Sequence, residues 1–87
     1  VALVFSRSGM GVKHGITLSN SVGVIDADYR GEIIVSVINH GGEAYTVQPG
    51  DRIAQMMFVP IYTASFAEVD ELDETDRGAG GFGSTGR

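Results

Sequence analysis

Asp26, Asp28, Tyr29 and Arg30 fall within five residues of one another, between the apolar runs Val22 to Ile25 and Ile33 to Ile38. A carboxylate can take a proton from water, and a flat aromatic beside it can lie against a sugar or a base. Val and Ile favour strands, while Asp and Gly between them favour chain reversal. The segment Gly23-Val24-Ile25-Asp26-Ala27-Asp28-Tyr29-Arg30-Gly31-Glu32-Ile33 therefore reads as a hairpin-like turn that presents these side chains together. An ordinary turn would use Asp and Gly equally well, for backbone reasons alone.

Two further stretches have chemical potential. Ser6-Arg7-Ser8-Gly9-Met10-Gly11 follows the apolar run Val1 to Phe5, and offers a forked cation, two hydroxyls and inward-turning glycine amides. Those groups suit phosphate oxygens, and they equally suit a surface loop. At the other end, Arg77-Gly78-Ala79-Gly80-Gly81-Phe82-Gly83-Ser84-Thr85-Gly86-Arg87 has five glycines in eleven residues around one aromatic. Such composition makes a floppy tail, or a segment that closes over a ligand with amides and hydroxyls on phosphate and Phe82 over a base. It lacks the Gly-Lys-Ser/Thr ending of the common nucleotide-binding loop.

The elements that must position these groups read as β throughout. Strands are expected at Val1 to Phe5, Ile16 to Ser19, Glu32 to Asn39, Ala44 to Val47 and Arg52 to Val59, with β continuing from Ile61 to Val69. Turns are expected at His40-Gly41-Gly42 and Gln48-Pro49-Gly50-Asp51. No window shows helical periodicity. The run Ile33-Ile34-Val35-Ser36-Val37-Ile38 is apolar almost without break, which implies burial on both faces, in a sandwich or at a subunit contact. Arg52 and Gln55 are three apart, so a regular strand would put them on opposite faces. To serve one ligand they would need different subunits or a bulge. Asn20 suits a base edge or a turn cap, and Met56-Met57 suit core packing.

Eighty-seven residues make at most one small domain with a modest core. There is no cysteine, which excludes disulfides, thiolate zinc sites and cysteine nucleophiles. His14 and His40 have no ligand-like spacing and read as turn or surface residues. No apolar run approaches the roughly 20 residues that span a bilayer, and no signal-peptide pattern is present. The net charge of −5 is concentrated: six of the eleven acids are Glu68, Asp70, Glu71, Asp73, Glu74 and Asp76. The expected organisation is a β body over residues 1–67, an acidic linker over 68–76 and a Gly-rich tail over 77–87. No basic patch with interleaved aromatics is present to follow a nucleic-acid backbone. The start at Val-Ala-Leu-Val-Phe, already inside a strand, reads as a cut rather than a natural beginning.

Four segments in order resemble the second to fifth motifs of the trimeric dUTP diphosphatase (dUTPase) family. They are Arg7-Ser8-Gly9, Gly23 to Glu32, Gly50-Asp51-Arg52-Ile53-Ala54-Gln55, and Arg77 to Ser84. The family's first motif, an Ala-x-Asp segment nearer the N-terminus, has no counterpart here, which points to the C-terminal part of a longer subunit.

The resemblance implies an all-β, distorted jelly-roll subunit (a β-clip) apparently lacking its N-terminal strands, in a homotrimer with active sites shared between chains. Arg52 and Gln55 then need not face the same site. It further implies a cytoplasmic enzyme that hydrolyses dUTP to dUMP and pyrophosphate with Mg2+, limiting uracil in DNA and supplying dUMP for dTMP synthesis. Asp26 would be the general base for in-line attack of water on the α-phosphorus. Tyr29 would lie under the deoxyribose, and Asn20 with the hairpin backbone at Gly23 and Ile25 would read uracil. Arg7, Ser8, Gly9 and Gln55 would hold the triphosphate. Arg77, Ser84 and Thr85 would clamp its far end while Phe82, next to Gly83, stacks on the base. No metal ligand is expected in this chain, because the family's metal-organising Asp belongs to the first motif. Asp28 and Arg52 read as structural. A dCTP deaminase or bifunctional relative on the same fold, or a catalytically inactive nucleotide-binding fragment, are the alternatives.

Overall fold

Ala2–Ser6 forms the central strand, β1, of a three-stranded antiparallel sheet in a computed structural model that describes residues 1–83 and 86. On one side it pairs with β3, Gly23–Ile25, in the register Ala2↔Ile25, Leu3↔Val24 and Val4↔Gly23. On the other it pairs with β5, Ala54–Phe58, from Ala2↔Phe58 to Ser6↔Ala54. A second, two-stranded sheet joins β2, Ile16–Leu18, to β4, Val37–Asn39. Every pairing is antiparallel, so the all-β expectation holds.

The buried apolar residues are Ala2, Val4, Met10, Ile16 and Leu18, a small core at the seam between β1 and β2. Alternation explains its composition: Ala2 and Val4 share one face of β1, and Ile16 and Leu18 share one face of β2. Met10 comes from an element not expected from the sequence, a one-turn π-helix over Gly9–Lys13. It is tied by Gly11 N to Arg7 O (2.9 Å) and Gly15 N to Gly11 O (3.0 Å). Two glycines and a five-residue span leave no periodicity to read, so packing of Met10 decides the conformation.

The largest correction concerns the expected hairpin. Its two arms do not pair with each other: β3 joins the first sheet and β4 the second, and residues 26–36 cross between them. The run Ile33 to Ser36 lies outside the ladders, and Ile34 is 75% exposed within this chain. Burial on both faces is therefore not achieved by the chain itself. One extension of β4 survives at Ser36, where Ser19 N donates to the Ser36 carbonyl at 2.9 Å and the two hydroxyls meet at 2.7 Å.

The expected strand at Ala44 to Val47 is also replaced. Asn39 closes the preceding turn with its side chain, accepting from Gly41 N (2.8 Å) and donating to Glu43 O (2.9 Å). Tyr45 then packs against His14, ring centroids 4.5 Å apart and tilted by 46°. Gly15 lies at the point where these segments cross. Its φ is +71°, a Cβ there would come within 2.5 Å of Gly41 N, and its carbonyl accepts from His40 N at 2.7 Å. Residues 61–69 form no ladder and are exposed, as is the acidic stretch that follows. The Cα radius of gyration is 19.1 Å, against about 12 Å for a compact domain of this length.

Candidate functional site

The crossing between the two sheets encloses a hollow of about 260 Å³. Five of the expected site residues line it: Asn20, Gly23, Ile25, Asp26 and Tyr29. They arrive from different directions. Asn20 follows β2, in a tight turn where Ser21 has a φ of 65° and Val22 N donates to Asn20 O at 2.7 Å. Gly23 and Ile25 belong to β3, and Asp26 is the first residue beyond it. Because β3 is the outermost strand of its sheet, its backbone N–H and C=O groups are paired with β1 along one edge only. The other edge can meet a planar ligand that has donors and acceptors of its own.

Tyr29 is brought round by a turn in which its N–H donates to Asp26 O at 3.1 Å. Its hydroxyl donates to Glu32 O at 2.6 Å, so the ring is held at its far end as well. Arg30 spends Nη1 on the carbonyls of Ala27 and Tyr29, each at 3.0 Å. Arg30 thus stiffens the turn from within, and among the described residues it makes no ion pair with Asp28. Asp26 is exposed to the hollow, which leaves its carboxylate open to water.

The second expected cluster adjoins the first. Gln55 donates from Nε2 to Ser6 O at 2.9 Å, directly before Arg7-Ser8-Gly9. It therefore splints the end of β1 at the point where the glycine-containing turn begins. A separate hollow, of about 280 Å³, is bordered by both Arg52 and Gln55 and shares Val4 and Ile33 with the first. The expectation of opposite faces rested on both residues lying in one regular strand. The strand starts at Ala54, so strand alternation does not apply to Arg52. Arg7 is half-buried, whereas Ser8 and Gly9 are exposed at the start of the π-helix.

The described residues of the tail make local turns and border neither hollow. Arg77 donates from Nε to Gly80 O at 2.7 Å, Gly80 N returns to Arg77 O at 3.1 Å, and Gly78 N is held by Thr75 Oγ1 at 3.1 Å. Phe82 and Gly83 take left-handed φ values of 49° and 83°, and the Phe82 ring is fully exposed. The expectations for Ser84 and Thr85 lie outside the described residues.

Sequence reasoning missed Val4, Leu18, Val24, Glu32, Ile33, Ile34 and Ser36, which also line the first hollow. The apolar ones carry no chemical signal, and Glu32 and Ser36 have side chains that could have been considered, but only the crossing of the two sheets brings them to the hollow. Among the described residues no three His, Cys, Asp or Glu side chains converge to hold a metal ion. Nor is any helix among them long and apolar enough to cross a membrane.

The dUTPase family model matches residues 1–86. A deoxyuridine 5'-triphosphate nucleotidohydrolase of Desulfitobacterium hafniense is 61% identical over 85 residues, covering 98% of this chain and 56% of the relative. The proteins of the same name from an Enterobacter species and from Escherichia coli are 57% and 56% identical over 86 residues, covering 99% of this chain and 57% of each relative. The chain thus spans little more than half the length of the curated relatives it matches. A family match across nearly the whole chain, with curated relatives 56–61% identical over it, leads to one conclusion: this chain belongs to the dUTPase family.

Proposed function

We propose that the protein hydrolyses dUTP to dUMP and pyrophosphate in the hollow between the two sheets. The observation that carries this reading is the convergence of Asn20, Gly23, Ile25, Asp26 and Tyr29 on that hollow in a chain of this family. Uracil pairs with the free edge of β3 and the Asn20 amide. Cytosine, with an amino group in place of the 4-carbonyl, leaves these groups unpaired, a mismatch that costs several orders of magnitude when buried. Tyr29 lies against the sugar and excludes a 2′-hydroxyl by contact.

Asp26 accepts a proton from a water whose oxygen attacks the α-phosphorus. The bond from that phosphorus to the bridging oxygen breaks, and pyrophosphate leaves with the electron pair. A carboxylate is a weak base at neutral pH, so orientation of the water supplies much of the rate. Arg7, Ser8 and Gly9 neutralise and hydrogen-bond the phosphates, with Gln55 fixing the turn that presents them. The tail closes over the bound nucleotide, with Arg77 and the residues after Gly83 on the phosphates and Phe82 on the base.

The described residues do not fit a protein-built magnesium site. Magnesium enters the proposal as the counter-ion a nucleoside triphosphate carries, with several of its waters retained. The exposed apolar run Ile33 to Ile38 and the open shape of the chain support assembly into a homotrimer with shared sites. The body, acidic linker and tail keep the boundaries 1–67, 68–76 and 77–87, and the enzyme works in the cytoplasm on free nucleotide.

The test is pyrophosphate release by the full-length protein with magnesium, from dUTP beside dCTP, dTTP and UTP. Turnover confined to dUTP is the expected result. Ammonia release from dCTP would overturn it in favour of a deaminase, and a trimer that binds dUTP without turnover would leave only a binding role.

A further inference from the structure

Gly31 has no backbone reason to be glycine. Among the described residues the glycines with left-handed φ are Gly15, Gly50, Gly78 and Gly83, and Gly31 is not one of them. It has a steric reason instead. A Cβ built on Gly31 would come within 2.5 Å of Tyr29 Cζ and 2.8 Å of Cε1, and nearer still to the hydroxyl oxygen. These atoms belong to a rigid ring, so the ring cannot yield locally and must swing as a whole. Its far end is fastened to the Glu32 carbonyl at 2.6 Å, and its own backbone is clamped by Arg30 on the Ala27 and Tyr29 carbonyls.

We propose that Gly31 is a positioning residue for sugar recognition: the missing side chain is the space in which the Tyr29 ring lies, and it sets where that ring meets the ligand. The inference rests on the functional reading above, which puts the deoxyribose against Tyr29. A side chain at position 31 displaces the ring and breaks the Tyr29–Glu32 bond. Because the backbone of the turn is held by Arg30, the displacement falls on the ring, which borders the hollow containing Asp26. Discrimination between a deoxyribose and a ribose then suffers more than binding of the triphosphate.

The experiment compares wild type, Gly31→Ala, Tyr29→Ala and the double variant in the full-length protein, with kcat/KM measured for dUTP and UTP. Gly31→Ala is expected to narrow the preference for dUTP by about tenfold, the scale of one misfilled contact. In the Tyr29→Ala background, adding Gly31→Ala is expected to change neither substrate by more than about twofold, because coupled neighbours are not additive. An unchanged dUTP-to-UTP ratio in Gly31→Ala, or full additivity in the double variant, would overturn the proposal. A readout without turnover separates the two readings. Wild-type NMR should give a cross-peak between the Tyr29 ring protons and Gly31 Hα, and ring resonances that shift in Gly31→Ala. Unshifted resonances overturn the positioning itself. The cross-peak in a protein with no dUTP turnover would sink the functional reading and the sugar role together, leaving only the packing.

Discussion

The crossing of residues 20–36 and the tail beyond Arg77 carry the two ends of the expected site, and they are built on different terms. The crossing is anchored in both sheets: β3 binds it to β1, Ser36 binds it to Ser19, and the Tyr29 hydroxyl closes it on Glu32. Among the described residues the hydrogen bonds of the tail are local, through Arg77, Gly80 and Thr75 of the neighbouring linker, and the Phe82 ring faces solvent. The first region is thus shaped before any ligand arrives. The described residues of the second hold local turns, and the proposed closing over a nucleotide would order them at a cost offset by what is bound.

The sharpest way to break this contrast is Asp26→Asn. Turnover of dUTP is expected to fall about 10³-fold, within the range for loss of a general base, with nucleotide binding changed only a few-fold by calorimetry on a non-hydrolysable analogue. Near-normal turnover would mean that the shaped hollow does not hold the base. Removal of residues 77–87 tests the other side. Hydrolysis should drop by about 10²-fold through lost positioning, while the assembled mass by light scattering stays the same. Loss of assembly would make the tail a structural part rather than a closing one.

Smaller effects sharpen the comparison. Phe82→Ala should raise KM for dUTP about tenfold, the equivalent of one base–aromatic stack, without lowering Tm, since the ring is fully exposed. Gly15→Ala should do the reverse. It puts a Cβ against Gly41 in a left-handed backbone, at a cost of about 1–3 kcal/mol, seen as a lower midpoint in denaturant. Ser36→Ala should cost about 1 kcal/mol in the same measurement, the worth of one hydrogen bond.

Residue type made part of the molecule legible before the fold. Asp26 and Tyr29 draw notice as a carboxylate and an aromatic in a glycine-bearing turn, although an ordinary turn would use Asp and Gly equally well, and they line one hollow with Asn20, Gly23 and Ile25. The strands at Ala2–Ser6, Ile16–Leu18 and Ala54–Phe58 overlap the largely apolar runs expected to be β. The π-helix at Gly9–Lys13 was not legible, since it exists to seat Met10 in the seam. Nor was the loss of a strand at Ala44 to Val47, where the Asn39 side chain and the His14–Tyr45 contact outcompete local propensity.

The sequence by itself determined the β class, the concentration of acid between Glu68 and Asp76, and the kinship its motifs express. All of these depend on residue type and short spacing. Only the tertiary structure decided that Val22 to Ile25 and Ile33 to Ile38 part company, one arm joining β1 and the other reaching β2. Strand partners are chosen by long-range pairing and by a shared apolar seam, and local pattern does not encode them. That choice opens the hollow. A separate long-range pairing, of β5 with β1, places Gln55, some fifty residues further along, on the carbonyl of Ser6.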